Sequence, residues 1–471
     1  MTPALSSGLN TPDSQLESFL IVHPTSIGAL ALLSLPLLTR VQSENTLSYR
    51  GSTVDVSNGQ FTVTPTVQSL MMIGMGGNNG STLCAAILAS RHNITWHTKS
   101  GMQQPNYIGS VLRASTVRIG AEAGTGKDVH VVGLSMDKAI EHARVLDWDL
   151  QRQVAPHMAL LGKPLPSIYY PDFIAANQES RADDLIAGTD KQVHLNHLRE
   201  DIRKFKAENA LDRTVVFWTA NTEHYSDIIP VVNDTADNLL AAINASHSEI
   251  SPSSLFAVAA ILEGEPFVNG APQNTFVPGV IELAERHQSF IGGDNLKSGQ
   301  TKLKSVLAEF LVNAGIKTLS VASYNHLGNN DGHNLSAEPQ FKSKEISKSS
   351  VIGPKGVLAS KGEHPDHIVV IQYVPAVGDS TKRAIDEYYS EIFCGGRSTI
   401  NTFNECEDSL LATPLILDLT ILTELLTRIQ YRKLDSSAAD TKFTALYPVL
   451  SLLSYMLKAP LVKAGTEVVN A

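Results

Sequence analysis

Two lysines four residues apart are the first feature of this sequence that could do chemistry. Lys344 and Lys348 stand in the segment SKEISKSS, and a spacing of four places two side chains on one face of a helix. Adjacent ammonium groups repel each other unless an anion lies between them. The pair therefore predicts a site for a phosphate ester or a developing oxyanion. A solvated helix face is the alternative that these residues leave open.

Further lysines lie among small polar residues. Lys297, Lys302 and Lys304 fall in or just after the stretch GDNLKSGQTK, and Lys382 ends the turn VGDSTK. Ammonium groups gathered in this way can bind phosphate or stabilise negative charge. A plain surface turn is the alternative reading for the segment that ends at Lys382.

The loop at 325–333, NHLGNNDGH, carries many groups that form local hydrogen bonds. Its histidines, His326 and His333, are possible metal ligands, as are His364 and His367 in the segment HPDH. No third and fourth ligand follow at the spacing that zinc sites use, so we predict no metal.

A glycine-rich turn follows a short apolar run, LMMI, and precedes a good helix former, LCAAILA. The order of strand, glycine turn and helix is typical of the opening of a nucleotide-binding α/β unit. Gly74 permits the tight turn, and Gly76 and Gly77 allow the backbone to approach a pyrophosphate at the helix N-terminus. Asn79 stands where the usual pattern has its third glycine. Since no acid follows about 20 residues later, the spacing alone is compatible with NADP as well as NAD.

Composition excludes several classes of protein. The chain has 471 residues, 43% apolar and 18% charged, which is ordinary globular composition with ample core. A net charge of −10 argues against a non-specific nucleic-acid binder. The three cysteines, Cys84, Cys394 and Cys406, form no CxxC pair and suit a reducing compartment.

Two apolar runs have to be assessed as possible membrane spans. The run at 19–38 has no basic residue before it, since the first is Arg40, and prolines interrupt it, so we predict neither a signal peptide nor a membrane span. The run at 410–429 contains Asp418 and Glu424 and predicts a buried helix. We expect a cytoplasmic protein.

Strand and helix patterns alternate after the glycine turn and favour a mainly parallel, doubly wound α/β sheet. The predicted strands of this part lie at 213–219, 254–262 and 317–322, and the predicted helices at 137–160, 202–209, 280–288 and 301–314. Strands at 367–374, 387–393 and 398–403 indicate a second layer, with a helical stretch at 408–457.

Side by side, these segments resemble the eukaryotic myo-inositol-1-phosphate synthase family over residues 69–463. The motifs that carry the resemblance are GGNNGST (76–82), PSIYYPDFIAANQ (166–178), WTANTE (218–223), NTFVPG (274–279), LKSGQTKLKS (296–305), SYNHLGNNDG (323–332), SKEISKSS (343–350) and CEDSLLATPLILDL (406–419).

The resemblance implies the conversion of D-glucose 6-phosphate to 1D-myo-inositol 3-phosphate in a homotetramer, without nucleic acid or membrane. NAD would be recycled within the site through oxidation, enolisation, intramolecular aldol closure and reduction. The implied domains are an irregular region at 1–68, a Rossmann-like NAD domain at 69–304, a catalytic and tetramerisation domain at 305–407, and helices at 408–471 that return to the Rossmann-like domain.

Motif positions also carry over the family's functional residues. The implied catalytic residues are Lys344, Lys348, Lys382 and Asn325. The implied cofactor-binding residues are Gly76, Gly77, Asn78, Asn79, Ser167, Gln178, Arg181, Thr219, Ala220, Asn221, Thr222, Gly270, Ser298, Asn329, Asn330, Asp331, Asp408 and Ser409.

The sequence departs from the family pattern at several positions. Met75 replaces a tryptophan, Asn295 replaces an aspartate, Gln372 replaces a lysine, and Thr381 is an extra residue that shifts Lys382 by one. An aspartate that the family places against the cofactor has no counterpart. We also expect the family's last active-site lysine, assigned to a segment beyond Ala471, to be absent.

These departures predict reduced activity and keep two alternatives open. One is an impaired family member that still binds NAD or oligomerises. The other is a generic NAD(P)-linked oxidoreductase, which the glycine turn alone would allow.

Overall fold

The computed structural model describes residues 68–110, 145–161, 165–182, 184–351, 364–378, 380–428, 453 and 456–459, with a few isolated short strands elsewhere. The isolated strands are Ile27–Gly28, Thr46–Tyr49, Ser52–Asp55, Gln60–Phe61, Gln430–Tyr431 and Thr444–Ala445. Asp137, the predicted start of a helix, lies outside the described residues.

The first layer is a four-stranded parallel sheet. Its strands are β1 (Gln68–Ile73), β4 (Arg213–Trp218), β5 (Phe267–Asn269) and β6 (Ile291–Gly292), in the order β6-β5-β4-β1. A small hairpin, β2 (Trp96–Thr98) and β3 (Gly101–Gln103), follows the first helix.

Helices cover both faces of this sheet. They are α1 (Asn78–Arg91), α2 (Trp148–Ala159), α3 (Lys191–Glu208), α4 (Ala236–Asn244), α5 (Pro252–Leu262), α6 (Pro278–His287) and α10 (Asp408–Arg428).

Alternation along the strands divides the core in two. Leu70 and Met72 of β1 point into a core shared with α1 and α10. Met71 and Ile73 point to the opposite side, into a core built mainly from α3, α4, α5 and α6. Successive strand residues face opposite sides of a sheet, so the predicted doubly wound architecture is confirmed. Helix α10 lies on the α1 side of this sheet.

The segment at 254–262 is a helix, and its prediction as a strand is wrong. Ala257 to Ile261 are all fully buried, so the segment shows no polar face that would reveal a helical period. The helix begins after the N-cap Ser251, whose hydroxyl accepts a hydrogen bond from the Ser254 N–H, with Pro252 at its first position.

The second layer is a four-stranded mixed sheet. Its strands are β7 (Lys317–Leu327), β8 (Asp366–Tyr373), β9 (Thr381–Glu391) and β10 (Arg397–Glu407), in the order β8-β7-β9-β10. β7 and β8 are parallel, and the other two pairs are antiparallel. The inner face packs against α7 (Gly299–Asn313) and α9 (Glu338–Ser349), and α8 (Asn330–Asn334) joins β7 to α9.

Two of the predicted domain boundaries can be compared with the bounds of helices and strands. β10 ends at Glu407 and α10 begins at Asp408, so the boundary at 407/408 falls between elements. The boundary at 304/305 falls inside α7, whose Leu311 packs on β7 and β9. Among the described residues, no helix is long and apolar enough to cross a membrane.

Candidate functional site

The two lysines of α9 face one cluster of polar groups. Lys348 is buried, with 2% of its surface exposed, and its Nζ donates a hydrogen bond to Asn325 Oδ1 at 2.7 Å. Lys344 Nζ lies 3.2 Å from Asp331 Oδ2. The helix therefore presents both side chains toward the end of β7 and the loop that follows it, as the spacing of four predicts.

Lys382 joins this cluster from β9. It is buried on the inner face of the sheet, opposite Leu327 of β7, and its Nζ lies 3.9 Å from Asp408 Oδ1 at the start of α10. Both strands keep a regular register through Thr381 and Lys382. Lys382 therefore reaches the cluster with the extra Thr381 present.

A fourth lysine, Lys458, was missed by the sequence reasoning. It is buried, and the charges that act on its amine include Lys344, Lys382 and Asp408. Its backbone is fixed because Lys458 N donates to Asn295 O at 2.8 Å and Ala459 N donates to Asp294 O at 3.0 Å. The cluster thus contains a fourth buried lysine in addition to the three that the sequence identified.

Burial and mutual repulsion change the proton affinity of these amines. Burial lowers the pKa of Lys348 well below its ordinary value, and Lys382, Lys304 and Lys458 lower it further. The pKa of Lys458 is also well below its ordinary value, first through burial and then through Lys344 and Lys382. Burial alone would raise the pKa of Asp408, but the nearby lysines outweigh that effect and lower it. The environment therefore favours the uncharged form of these two amines relative to an exposed lysine.

The glycine turn lies between β1 and α1, at the carboxyl edge of the parallel sheet. A Cβ on Gly74, where φ is +85°, would lie 2.5 Å from the backbone of Ala220, and a Cβ on Gly80 would lie 2.4 Å from the backbone of Met75. Gly80, one residue after Asn79, thus provides the close packing that the third glycine of the usual pattern provides. A Cβ on Gly77 meets only one atom, Gly74 O at 3.2 Å, and Gly77 has no side chain with which to cap α1. The turn fits a pyrophosphate at a helix N-terminus.

The next strand brings a second group of cofactor candidates to the same edge. Thr219 N and Oγ1 both donate to Ile73 O, at 2.9 and 3.0 Å, which joins the ends of β4 and β1. Asn221 Nδ2 and Asn330 Nδ2 both donate to Gln178 Oε1, at 3.0 and 2.9 Å. Three candidates from distant parts of the chain therefore form one amide network.

One chain of bonds joins the cofactor candidates to the lysines. Thr222 Oγ1 donates to Asp331 Oδ1 at 3.3 Å, and Asp331 Oδ2 pairs with Lys344. Asn334 Nδ2 donates to Thr222 O at 2.9 Å, which fixes α8 against the end of β4. Asp331 therefore lies between the nucleotide-binding edge and the lysine cluster.

The other predicted residues occupy supporting positions. Asn329 caps α8 by accepting from Gly332 N at 2.9 Å, Ser298 is the N-cap residue of α7, and Ser409 is buried in the first turn of α10. Gly270 lies at the end of β5, with Trp218 O 2.9 Å from where its Cβ would be. Ser167 and Arg181 flank the segment that carries Gln178; Ser167 bonds to Asp184 and Ile186, and Arg181 is exposed.

The departures from the family pattern also have defined places. Asn295 Nδ2 donates to Ser347 Oγ at 2.6 Å, directly beside Lys348 on α9. Met75 is buried under Gly80. Of the candidate histidines, His333 stacks on Tyr373 and His367 bonds to Ser349. Within the described ranges, no three possible metal ligands come together.

A doubly wound parallel sheet with a glycine turn before its first helix is the architecture of enzymes that bind nicotinamide dinucleotides. Here a lysine-rich site on a second sheet adjoins it. A family model that is named for NAD binding and described as myo-inositol-1-phosphate synthase matches residues 68–134 and 130–471. The chain therefore belongs to the myo-inositol-1-phosphate synthase family and has that family's nicotinamide-binding fold.

Individual relatives agree with the family model. The chain is 50% identical to inositol-3-phosphate synthase of Saccharomyces cerevisiae, over 92% of this chain and 89% of the relative. It is 54% identical to inositol-3-phosphate synthase isozyme 2 of Arabidopsis thaliana, over 85% and 82%. The crystal structure of inositol-3-phosphate synthase from Caenorhabditis elegans aligns with a TM-score of 0.80 and 46% identity, over 90% of this chain and 84% of that one.

Proposed function

We propose that this protein is an inositol-3-phosphate synthase, an isomerase by outcome, that converts D-glucose 6-phosphate to 1D-myo-inositol 3-phosphate in inositol and phospholipid biosynthesis. Membership of the family and relatives of this activity at 50–54% identity support the assignment. The observation that carries it is the convergence of Lys344, Lys348, Lys382 and Lys458 beside the nucleotide-binding edge. A generic oxidoreductase would not need four amines at one place.

The charge of the cluster suits a sugar phosphate. Each of Lys344 and Lys382 lies near one carboxylate, Asp331 and Asp408 respectively. Lys348 adds a buried amine on which four other lysines act, and Lys458 adds a second buried amine on which two lysines and two aspartates act. A phosphate dianion supplies the negative charge that this arrangement lacks, and charge-assisted hydrogen bonds to it are stronger than neutral ones.

The same environment suits the four amines to two different chemical roles. The lowered pKa of Lys348 and Lys458 suits the acceptance of a proton from a carbon next to a ketone. Lys344 and Lys382, each with a carboxylate partner, suit donation to the oxyanion that develops on enolisation and aldol closure. Asn325 holds Lys348 in place through its amide oxygen.

We propose NAD as the cofactor. When bound, it supplies the reversible oxidation of one substrate carbon, so the overall reaction has no net redox change. The residues that would hold it are Gly76, Gly77, Asn78 and Asn79 at the start of α1, the amide network of Gln178, Asn221 and Asn330, and Thr219, Ala220, Thr222 and Asp331 beside it. Ser167, Arg181, Gly270, Ser298, Asn329, Asp408 and Ser409 complete the proposed set.

We further propose that the protein works as a homotetramer in the cytoplasm. The outer face of the second sheet exposes Tyr324, Ile368, Ile385 and Phe403 on its four strands. An apolar sheet face of this kind, with β8 at one edge, favours contact with a second copy. The three cysteines are free thiols, which is compatible with a reducing compartment.

The sequence predicts reduced activity, but Lys382 and Lys458 both contribute amines to the cluster. We therefore propose an active enzyme. The test is incubation of the purified protein with NAD and glucose 6-phosphate. We expect an inositol phosphate to form with no net NADH. Net NADH formation would instead identify an oxidoreductase, and bound NAD without turnover would identify an impaired family member.

A further inference from the structure

The interface between α7 and the second sheet changes from apolar to polar along its length. At one end, Leu311 packs against Val321 and Tyr388, all about 1% exposed. About two turns earlier in α7 and two residues along each strand, the corresponding positions are Lys304, Ser323 and Asp386. Replacing polar groups by apolar ones in such an interface is often neutral or stabilising. Packing alone therefore does not account for the polar end.

The three polar residues form a closed network. Lys304 Nζ donates to Ser323 Oγ and lies 3.2 Å from Asp386 Oδ1, and Ser323 Oγ donates to Asp386 Oδ1 at 2.5 Å. Gln300 Nε2, one turn earlier in α7, donates to both carboxylate oxygens of Asp386, at 2.8 and 2.9 Å. Lys304 and Asp386 are each 2% exposed. The network holds the ammonium of Lys304 in one place.

That place is beside the catalytic lysine candidates. Ser323 precedes Asn325 by two residues on the same face of β7, and Asn325 accepts the hydrogen bond of Lys348. Lys304 is one of the positive charges that act on Lys348. It also acts on His367 of β8, whose pKa falls to about 3 through burial, Lys304 and Lys348.

Several charged groups surround Lys348 in addition to Lys304. They are Lys344 on its own helix, Lys382 and Asp386 on β9, His367 on β8, Lys458 on the segment at 456–459, and Asp408 at the start of α10. Among them, Lys304 is the lysine that a buried carboxylate, Asp386, and a buried hydroxyl, Ser323, hold in place.

We propose that Lys304 and Asp386 are a positioning pair, in which Asp386 and Ser323 fix Lys304 so that its positive charge keeps Lys348 able to accept a proton. This inference rests on the proposed function, in which Lys348 is a proton acceptor. The amine of Lys304 bonds to Ser323 and pairs with Asp386, so its effect on Lys348 acts through the electrostatic field.

The experiment measures the pH dependence of kcat for the full-length protein with NAD. In Lys304→Met, the rise of kcat with pH moves to higher pH by on the order of one unit, because one positive charge near Lys348 has been removed. If Lys304→Met does not fold, Lys304→Gln takes its place, because glutamine keeps a hydrogen-bonding group at this position. It gives the same shift. Lys304→Arg keeps the charge and restores the wild-type profile.

A matched control separates this effect from loosening of the interface. Leu311→Ala disrupts the apolar end of the same helix–sheet contact, and we expect it to lower the melting temperature without moving the pH profile. An unchanged profile in a folded, neutral variant of Lys304 would overturn the proposal. An equal shift in Leu311→Ala would also overturn it.

A second readout does not depend on activity. The rate at which acetic anhydride labels Lys348, measured by mass spectrometry across pH in the NAD-loaded protein, reports the fraction of free amine. We expect Lys304→Met to move this titration upward as well. If the wild-type protein shows no synthase activity, the proposed function fails, whereas the labelling result still decides the role of Lys304.

Discussion

At the scale of single residues, the site is defined by the balance between paired and unpaired amines. Lys344 and Lys382 each have a carboxylate within 4 Å, whereas the nearest charges of Lys348 are other lysines. This difference in environment gives chemically identical side chains different roles at one pH.

Lys458 provides the most direct test at this scale. Lys458→Met keeps the length of the side chain and removes its charge, so we expect kcat to fall by about 10²–10³, the usual cost of losing one preorganised donor. NAD affinity should fall much less than kcat, because Thr222, one of the cofactor candidates, bonds to the oxygen of Asp331 that does not pair with Lys344. Steady-state kinetics and NAD titration check both expectations. A variant with wild-type kcat would exclude Lys458 from the chemistry.

Glu223 gives a prediction about stability and pH. Its carboxyl group is fully buried and accepts hydrogen bonds from Ser253 N at 2.9 Å and Ser253 Oγ at 2.6 Å. Burial raises its pKa from 4.5 to about 7. The folded state therefore binds the Glu223 proton more tightly than the unfolded state does. The resulting contribution to the free energy of unfolding is complete below pH 4.5, and it is lost as pH rises through 7.

The matching variant is Glu223→Gln. Between about pH 4.5 and 8, the stability of the wild-type protein relative to this variant should fall by about 3 kcal/mol. Urea unfolding at a series of pH values measures this difference. A difference that stays constant with pH would show that Glu223 has no raised pKa.

The sequence could reveal some of these residues and not others. Lys344 and Lys348 carry a helical spacing that predicts a shared ligand, and the structure places them on one face. Lys458 follows an apolar run with no partner at any regular spacing, and only tertiary pairing of 456–459 with 294–297 brings it to the cluster. Asp386 alternates with exposed residues on a strand, so its burial depends on α7.

At the scale of elements, Gly77 and Gly80 have different roles where β1 turns into α1. A side chain at Gly80 collides with the backbone of Met75, whereas one at Gly77 has room except for Gly74 O. Gly80 is therefore required by the packing of the turn itself, and Gly77 is free to serve a ligand.

Two valine variants test this separation. Gly77→Val should fold with a melting temperature near that of the wild type but lose at least about tenfold in NAD affinity, because its side chain blocks the approach of a pyrophosphate. Gly80→Val should instead lower the melting temperature clearly, since its Cβ has no space. Thermal unfolding and NAD titration distinguish the two. Unchanged NAD binding in Gly77→Val would contradict the cofactor assignment.

Element prediction succeeded for two helices with a polar face and for one buried strand of β-branched and aromatic residues. The patterns near 213–219, 280–288 and 301–314 gave the correct type of element, with β4, α6 and α7 in those places. Helix α5 was missed because it is buried on all sides, and the signals that would have identified it were Ser251 and Pro252 at its start.

At the scale of the whole molecule, the outer face of the second sheet is the proposed contact between subunits. Phe403→Lys places a charge within this apolar face, beside Ile385 on the paired strand. We expect this variant to sediment at micromolar concentration as a smaller species than the wild-type tetramer. Val193→Lys, at a residue of α3 that is 54% exposed, is the matched control and should leave assembly unchanged. A monomeric wild type would contradict the proposed assembly.

The central claim is that one site performs a redox-neutral cyclisation, with the lysine cluster and the cofactor acting on the same substrate molecule. The most direct measurement uses glucose 6-phosphate labelled with deuterium at carbon 5, the carbon that the family's reaction oxidises. It is incubated with the protein, NAD and a smaller amount of unlabelled NADH. We predict that the inositol phosphate retains the deuterium, because the hydrogen removed at that carbon returns before the substrate leaves. Replacement of the label by hydrogen, or accumulation of an oxidised sugar phosphate, would contradict the account.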